Sequence, residues 1–181
     1  MDELTSCALR AGAGDRAALT RFVRLSQADV WRLAAHLVDR GAADDITQEV
    51  YERVLRALPT FRGDSSARTW VLSIARRTCA DVIRRRTRVR RRDERIRAEV
   101  SVNQQAYTQG DSAFVDEAIA SLAEDRRAAF VLTQLLGFGY VETAEICGCP
   151  VGTIRSRVAR ARADLMGLLS ETDGGSNSLE A

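Results

Sequence analysis

Proline occurs only at positions 59 and 150, and between those two interruptions apolar residues recur at intervals of three and four rather than two. Such a chain hides its apolar side chains along helix faces, because a strand would turn every second one of them toward water. The expected fold is therefore all-α. The spacing predicts helices over about 15–25, 28–38, 43–57, 66–90, 113–122, 125–136, 140–146 and 151–169, and no strand. Between the two groups, Val100-Ser101-Val102-Asn103-Gln104-Gln105-Ala106-Tyr107-Thr108-Gln109-Gly110-Asp111 is polar and aperiodic and reads as a linker. From Asp93 to Asp111 it can reach at most about 60 Å when extended. The expected organisation is two small helical domains, 1–92 and 112–170, joined by a flexible linker over 93–111. A tail over 171–181 carries Gly174-Gly175-Ser176-Asn177-Ser178 and is expected to be disordered from Thr172, since it has nothing to bury.

The formal charge of +2 averages over segments of opposite sign. Residues 1–75 balance ten Arg against ten acids. Residues 76–97 set eleven Arg against Asp81, Asp93 and Glu94, a net of +8. Residues 98–149 carry a net of −6, and 150–162 return to +4 with no acid. Two separated basic islands on a nearly neutral chain are the footprint of a protein that meets a polyanion at two places. All 27 basic residues are arginine. GC-rich codon usage accounts for that without any function, yet it still favours bidentate contacts to phosphate and guanine.

Several function classes fall away. No apolar run approaches the ~20 residues that span a bilayer, and Met1-Asp2-Glu3 places acids where a secretory signal carries bases, so no membrane role is expected and the protein is read as cytoplasmic. Cys7, Cys79, Cys147 and Cys149 make no disulfide framework in a reducing compartment. Cys147-Gly148-Cys149 lacks the further ligands zinc would want, with His36, the one histidine, far off in sequence; it reads as a tight turn of small residues. One histidine, no Ser/His/Asp constellation, no Gly-rich phosphate loop and no metal set argue against an enzyme and against any cofactor.

At the C-terminal end, Tyr140, Ala144 and Ile146 form a short apolar stripe that stops at Cys147-Gly148-Cys149-Pro150, and Val151 opens a second helix. This is helix, tight turn, helix. On a helical wheel Ile154, Val158, Ala161 and Leu165 share one face and pack inward. The opposite face carries Gly152, Ser156, Ala159 and Arg160. Its small residues let the backbone approach a major groove, while Arg155 and Arg160 reach a guanine edge or a phosphate from the flanks. Arg157 and Arg162 lie nearer the buried edge and are read as contacts to phosphate or to an acidic neighbour.

In the N-terminal half Asp44 and Asp45 suit the positive end of a helix dipole, and Gln48 and Glu49 extend a polar, largely acidic patch over the next turn. Val50, Val54, Leu55 and Leu58 are expected to pack inside. A polar loop, Phe61-Arg62-Gly63-Asp64-Ser65-Ser66, leads into a helix with Trp70, Ile74 and Val82 on a shared side. Core packing is the job expected of Trp31. Arg84, Arg85, Arg86, Arg88, Arg90, Arg91 and Arg92 crowd that helix's end; such charges repel unless a polyanion neutralises them.

Pro150-Val151-Gly152-Thr153-Ile154-Arg155-Ser156-Arg157 closely resembles the −35-reading helix, region 4, of extracytoplasmic-function sigma factors of the sigma-70 family. Asp44-Asp45-Ile46-Thr47-Gln48-Glu49 resembles their region 2.2, and 61–77 their regions 2.3 and 2.4. The resemblance covers about 10–92 and 112–169. It implies a four-helix region 2 domain and a helix-turn-helix region 4 domain, in a protein that binds the β and β′ subunits of core RNA polymerase and promoter DNA; an anti-sigma factor stands among the partners it allows. Carried onto this chain, Asp44, Asp45, Gln48 and Glu49 bind core polymerase. Phe61, Arg62, Gly63, Asp64, Ser65, Trp70, Arg76, Arg77, Arg84 and Arg85 engage the −10 element, where a flipped base must be compensated by pocket contacts. Val151, Gly152, Thr153, Arg155, Ser156, Ala159 and Arg160 read −35. Two departures stand out: Gly139 occupies the usual place of a Ser cap, and Arg77 that of an Asn, which bears on direct −10 base preference. The rival reading is a stand-alone helix-turn-helix regulator, which leaves the acidic and arginine-rich helices unexplained.

Overall fold

Helix-period patterning is realised throughout the computed structural model, which describes residues 1–96 and 111–174. Eight α-helices follow in order among the described residues: α1 Glu3–Gly12, α2 Arg16–Leu37, α3 Ala43–Ala57, α4 Ala67–Ile96, α5 Asp111–Ser121, α6 Glu124–Phe130, α7 Tyr140–Cys147 and α8 Val151–Gly174. The expected linker over 97–110 and the tail over 175–181 lie outside the described residues. Helix continues past the expected domain edge at Arg92 to Ile96, and α8 carries Thr172 and Asp173, which were expected in a disordered tail.

α1 is absent from the expected set. Asp2 starts it: its carboxylate accepts the Thr5 N–H at 2.9 Å and the Thr5 hydroxyl at 2.6 Å. Thr5 Oγ1 then accepts the Ala67 N–H at 2.9 Å, fastening α1 to the first turn of α4. Ser66 caps that turn from its own side, with its hydroxyl oxygen 3.1 Å from the Thr69 N–H. α2 is a single 22-residue helix where two are expected. The polar residue at the expected break, Ser26, is buried, because its hydroxyl lies 2.8 Å from the Phe22 carbonyl and 2.7 Å from Tyr51 Oη. With its bonding complete inside the helix, it gives the chain no reason to turn.

Phe22, Val30 and Leu33 of α2, Val50 and Val54 of α3, and Val71, Leu72, Ala75 and Cys79 of α4 are fully buried. Leu55 was expected among them but is 46% exposed, since it follows Val54 by 100° around the helix and leaves the Val50–Val54–Leu58 stripe. On α4 the buried stripe runs through Val71, Ala75 and Cys79, with Trp70 and Ile74 half-buried at its edge rather than at its centre. Trp31 is likewise half-buried at the rim of the core.

In the second group Ile154, Val158 and Ala161 point inward as expected and Leu165 is half-buried. The stretch read as one helix over 125–136 changes character at Val131, where a π turn over Val131–Leu135 closes with the Leu136 N–H on the Val131 carbonyl at 3.0 Å. Tyr140, expected on the buried stripe, is 38% exposed; Thr143, Ala144, Ile146 and Cys147 form the buried side of α7 instead. At Gly139 the missing cap side chain is offset by Glu142, whose carboxylate accepts the Gly139 N–H at 2.9 Å. α7 ends at Gly148 in the left-handed region (φ 64°), with the Cys149 N–H on the Ala144 carbonyl at 3.1 Å, a Schellman ending that aims Pro150 and α8 away.

The two groups touch. α7 packs on α4, and α5 and α6 reach α2, so that their buried side chains form one continuous cluster. Among the described residues no helix is long and apolar enough to cross a membrane.

The close approach of α1 to the turn after α3 is testable. A Cβ at Gly12 would stand 2.6 Å from the Leu58 carbonyl oxygen. Gly12→Ala gains up to about 1 kcal/mol of helix propensity but overpacks at a cost of about 1–3 kcal/mol. The urea midpoint is expected to fall; a rise would show that the contact relaxes freely.

Candidate nucleic-acid interface

On α3, Asp45 and Gln48 stand exposed, with Asp44 beside them accepting the Trp31 Nε1–H at 2.8 Å. Glu49 faces a different way. It accepts from Arg53 at 2.7 Å and from Arg85 at 2.9 Å, and Arg53 and Arg84 both donate to Asp81, at 2.8 and 2.7 Å. The hydrogen bonds from Arg53 and then Arg84 hold the Asp81 carboxyl below its ordinary range. Of the four residues expected to meet the polymerase, Asp44, Asp45 and Gln48 thus face water and Glu49 is half-buried in an internal network.

The same network takes up part of the arginine cluster. Arg84 holds Asp81, Arg85 holds Glu49 and Arg86 holds Asp39, whereas Arg77, Arg88 and Arg91 have no ion-pair partner among the described residues. The repulsion foreseen from sequence is therefore partly relieved inside the protein, by acids on α3, on α4 itself and just after α2. In the loop before α4, Arg62 and Asp64 are exposed and Gly63 and Ser65 half-buried, while the Phe61 ring meets the Trp70 ring at 4.7 Å between centroids, tilted by 37°. Loop and α4 thus place Phe61 and Trp70 together, with Arg77 two turns on along the same side of the helix, while Arg76 faces another way.

Arg76 is only partly accessible. It lies 3.4 Å from Asp125 of α6, and Asp125 also receives Arg157 of α8 at 2.5 Å. One carboxylate therefore bridges a guanidinium expected at −10 DNA and one on the helix expected to read −35. Arg157 further approaches Cys149 Sγ at 3.5 Å, and Arg162 donates to Gln134 at 2.8 Å, so of these two only Arg157 has the acidic neighbour foreseen. Around Asp125 the seam between the groups includes Arg68, which donates to Asp29 at 2.8 Å and lies 4.0 Å above the Phe138 ring. It continues through Arg127, which donates to the Leu37 carbonyl at 2.9 Å, and through Asp116, 3.7 Å from His36 and 3.4 Å from Arg40. Sequence reasoning missed Asp125, Arg127, Arg68 and Phe138; the only trace of Asp125 was an acid pair, Glu124-Asp125, in the first turn of a helix.

α8 presents the clearest surface. Gly152, Arg155, Ser156, Ala159 and Arg160 are all exposed, Thr153 and Val151 are half-buried, and Ser156 turns its hydroxyl back to the Thr153 carbonyl at 2.9 Å. Arg155 and Arg160 have no ion-pair partner among the described residues. A strip of small side chains flanked by two free guanidinium groups has the shape and the donors that a major groove accepts. The four thiols are free, and burial pushes Cys79 up to about 12 and Cys147 up to about 11, so neither is a ready thiolate.

Known proteins match both halves of the chain. The family model of sigma-70 region 2 matches residues 22–89 and that of sigma-70, region 4 matches 115–165. The ECF RNA polymerase sigma factor SigC of Mycobacterium tuberculosis is 48% identical over 168 residues, covering 91% of this chain and 90% of the relative. The ECF RNA polymerase sigma-E factor of Escherichia coli is 35% identical over 166 residues, covering 84% and 87%. Among solved structures, the sigma factor RpoE of Bartonella quintana, in complex with the anti-sigma factor NepR, superposes with a TM-score of 0.67 at 27% identity, over 84% of this chain and 96% of that one. CnrH in complex with the cytosolic domain of CnrY gives 0.74 at 24% identity, over 94% and 99%, a likeness of fold.

The seam makes two expectations. Asp125→Asn removes the charge shared by Arg76 and Arg157 while keeping the shape. For half-exposed pairs this costs about 1 kcal/mol, read as a Tm lower by about 2–4 °C in 0.15 M salt and by less in 1 M salt; an unchanged Tm at both would show that the bridge contributes nothing. The second concerns pH. Burial holds His36 below its ordinary value, against the pull of Asp116. The folded form thus prefers neutral imidazole, so its contribution is complete above about pH 6.5 and is lost as pH falls through the depressed folded value. Thermal stability is expected to drop between pH 7.5 and 5.5 in the wild type and to lose that component in His36→Gln; the same slope in both would remove His36 from the account.

Proposed function

The chain belongs to the extracytoplasmic-function sigma factors of the sigma-70 family, and from that footing we propose how its residues divide the work. As such a factor it is a non-enzymatic subunit that joins core RNA polymerase and directs transcription initiation, which disposes of the stand-alone regulator. The exposed face of Asp44, Asp45 and Gln48 is the docking surface for the polymerase, with Glu49 bracing it from inside through Arg53 and Arg85. Phe61, Arg62, Gly63, Asp64, Ser65 and Trp70 form the receptacle for an unstacked −10 base, and Arg76, Arg77, Arg84 and Arg85 hold the adjoining backbone. Val151, Gly152, Thr153, Arg155, Ser156, Ala159 and Arg160 read −35. Residues 1–92 and 112–170 act as the two units, in the cytoplasm with the polymerase. An anti-sigma factor is the regulatory partner, as it is for the Bartonella relative.

The observation that carries this assignment is the α8 strip, where Arg155 and Arg160 stand exposed with no acid among the described residues to hold them. Arg76 and Arg157 differ: each must exchange Asp125 for a phosphate, which means that α6 and α8 leave α4 when both promoter elements are engaged.

The test is run-off transcription of a genomic promoter pool by bacterial core polymerase with and without the protein. Transcripts dependent on it are expected, with shared −10 and −35 sequences. In Arg155→Ala/Arg160→Ala each lost base contact removes about 1–3 kcal/mol of discrimination, so −35 preference should fall at least tenfold while core binding persists; unchanged promoter use would overturn the α8 assignment. Asp45→Arg should weaken core binding, and wild-type co-purification would overturn the α3 assignment. Glu49 is the poorer probe, because its reversal also breaks the Arg53 and Arg85 pairs.

A further inference from the structure

Where α2 ends against α4 and α6, a cleft of about 460 Å³ opens whose lining contains no acid. Arg86, Arg90 and Arg91 project from α4 and Arg127 from α6, around an apolar floor of Leu37, Val38 and Ile83. The volume lies in the range of small-ligand sites, and the mixture of a few charged groups with an apolar base is their usual make-up.

The charge balance of the cleft is incomplete. Arg86 is paired with Asp39, which stands outside the lining. Arg91 has no partner among the described residues. Among the described residues Arg127 is half-buried and held by backbone alone: its fork donates to the Leu37, Ala120 and Leu122 carbonyls at 2.9, 2.5 and 3.0 Å, its Nε is buried with no acceptor, and none of their carboxylates lies within ion-pair distance. Burial pushes this guanidinium below its ordinary value, with Glu124 only partly opposing. A cation taken out of water without a counter-charge is costly, and three neighbouring arginines raise that cost further. A phosphate chain supplies the missing charge: Arg91 offers its whole fork to a pair of phosphate oxygens, whereas Arg127, with three of its Nη hydrogens already on carbonyls, offers the one remaining Nη1–H.

We propose that this cleft binds a small polyphosphate, with the apolar floor accommodating a nucleoside attached to it. Neither the promoter contacts nor the polymerase-docking face accounts for Arg127 and Arg91 meeting here. The two sides of the cleft come from different helix groups, three arginines from α4 and one from α6, so a bound polyphosphate bridges them. By linkage it favours the packed arrangement over any in which α6 leaves α4. The inference rests on that arrangement and not on the promoter assignments, so binding is measured directly, without polymerase or DNA.

The experiment is calorimetric titration of the full chain with sodium tripolyphosphate, and separately with GTP, at matched ionic strength. Arg91→Gln and Arg127→Gln test the site, and Arg16→Gln, on the remote exposed start of α2, serves as the control. Saturable one-to-one binding is expected, weakened at least tenfold by Arg91→Gln and by Arg127→Gln and unchanged by Arg16→Gln. Arg91 is exposed, so its variant keeps the test valid should Arg127→Gln fold poorly. Tighter binding of GTP than of tripolyphosphate supports a nucleotide on the floor, and equal binding supports inorganic polyphosphate; either upholds the site. No saturable binding at millimolar concentration, full binding by Arg91→Gln, or an equal loss in Arg16→Gln as expected of diffuse attraction, would overturn it.

Discussion

Val71, Leu72, Ala75 and Cys79 lose all contact with water because α4 is faced by α2 and α3 on one side and by α7 on another. Val71 and Leu72 each contribute about 1.5–3 kcal/mol when fully buried, and α4, like α2, is packed from both groups. The first turn of α4 is fixed by Thr5, its middle carries Arg76 and Arg77, and its last turns carry the arginine cluster. One rigid axis thus sets the spacing between the loop at 61–65 and the basic end. The loop can hold a defined shape because the helix it enters cannot rotate without exposing this stripe.

Counter-charge is the second constraint. A chain with 27 arginines and no lysine carries cations that cannot be relieved by deprotonation, so each must find a carboxylate, a carbonyl, an aromatic face or solvent. Arg53, Arg84 and Arg85 find Asp81 and Glu49; Arg68 finds Asp29 and the Phe138 ring; Arg76 and Arg157 share Asp125. Most of these pairs are partly exposed and each adds little to stability. Their larger effect is directional, since they fix where the guanidinium groups point before any partner arrives.

Legibility in the sequence followed the range of the forces involved. α3 ends where its pattern ends, at Ala43 and Ala57, and α8 turns Ile154, Val158 and Ala161 inward, because each is decided by periodicity and local caps. α1 was missed although Asp2 and Thr5 carry its cap, since ten residues hold too few apolar positions to show a period; its stability comes from α2, α4 and the turn at Leu58. The split of α2 was misread because a buried Ser satisfied by Phe22 and Tyr51 looks, in one dimension, like a polar interruption. The seam was beyond reach altogether: Asp125 lies 49 residues from Arg76 and 32 from Arg157, and nothing local to any of the three announces the others.

These pairings separate two kinds of DNA contact. Of the arginines read as backbone holders, Arg76, Arg84 and Arg85 are each engaged with a carboxylate, as is Arg157, while Arg77 has no ion-pair partner among the described residues. Exchanging a carboxylate for a phosphate replaces one anion by another, so the net gain is smaller than for a bare guanidinium and falls further with salt. Arg155 and Arg160 have no ion-pair partner among the described residues to give up. Under the proposed assignment, a groove contact made by them keeps its full value, while attraction to phosphate at Arg76, Arg84, Arg85 and Arg157 is damped. On that assignment, for a protein that must pass over bulk DNA until polymerase presents a promoter, the asymmetry would raise the ratio of specific to non-specific binding without adding a single base contact.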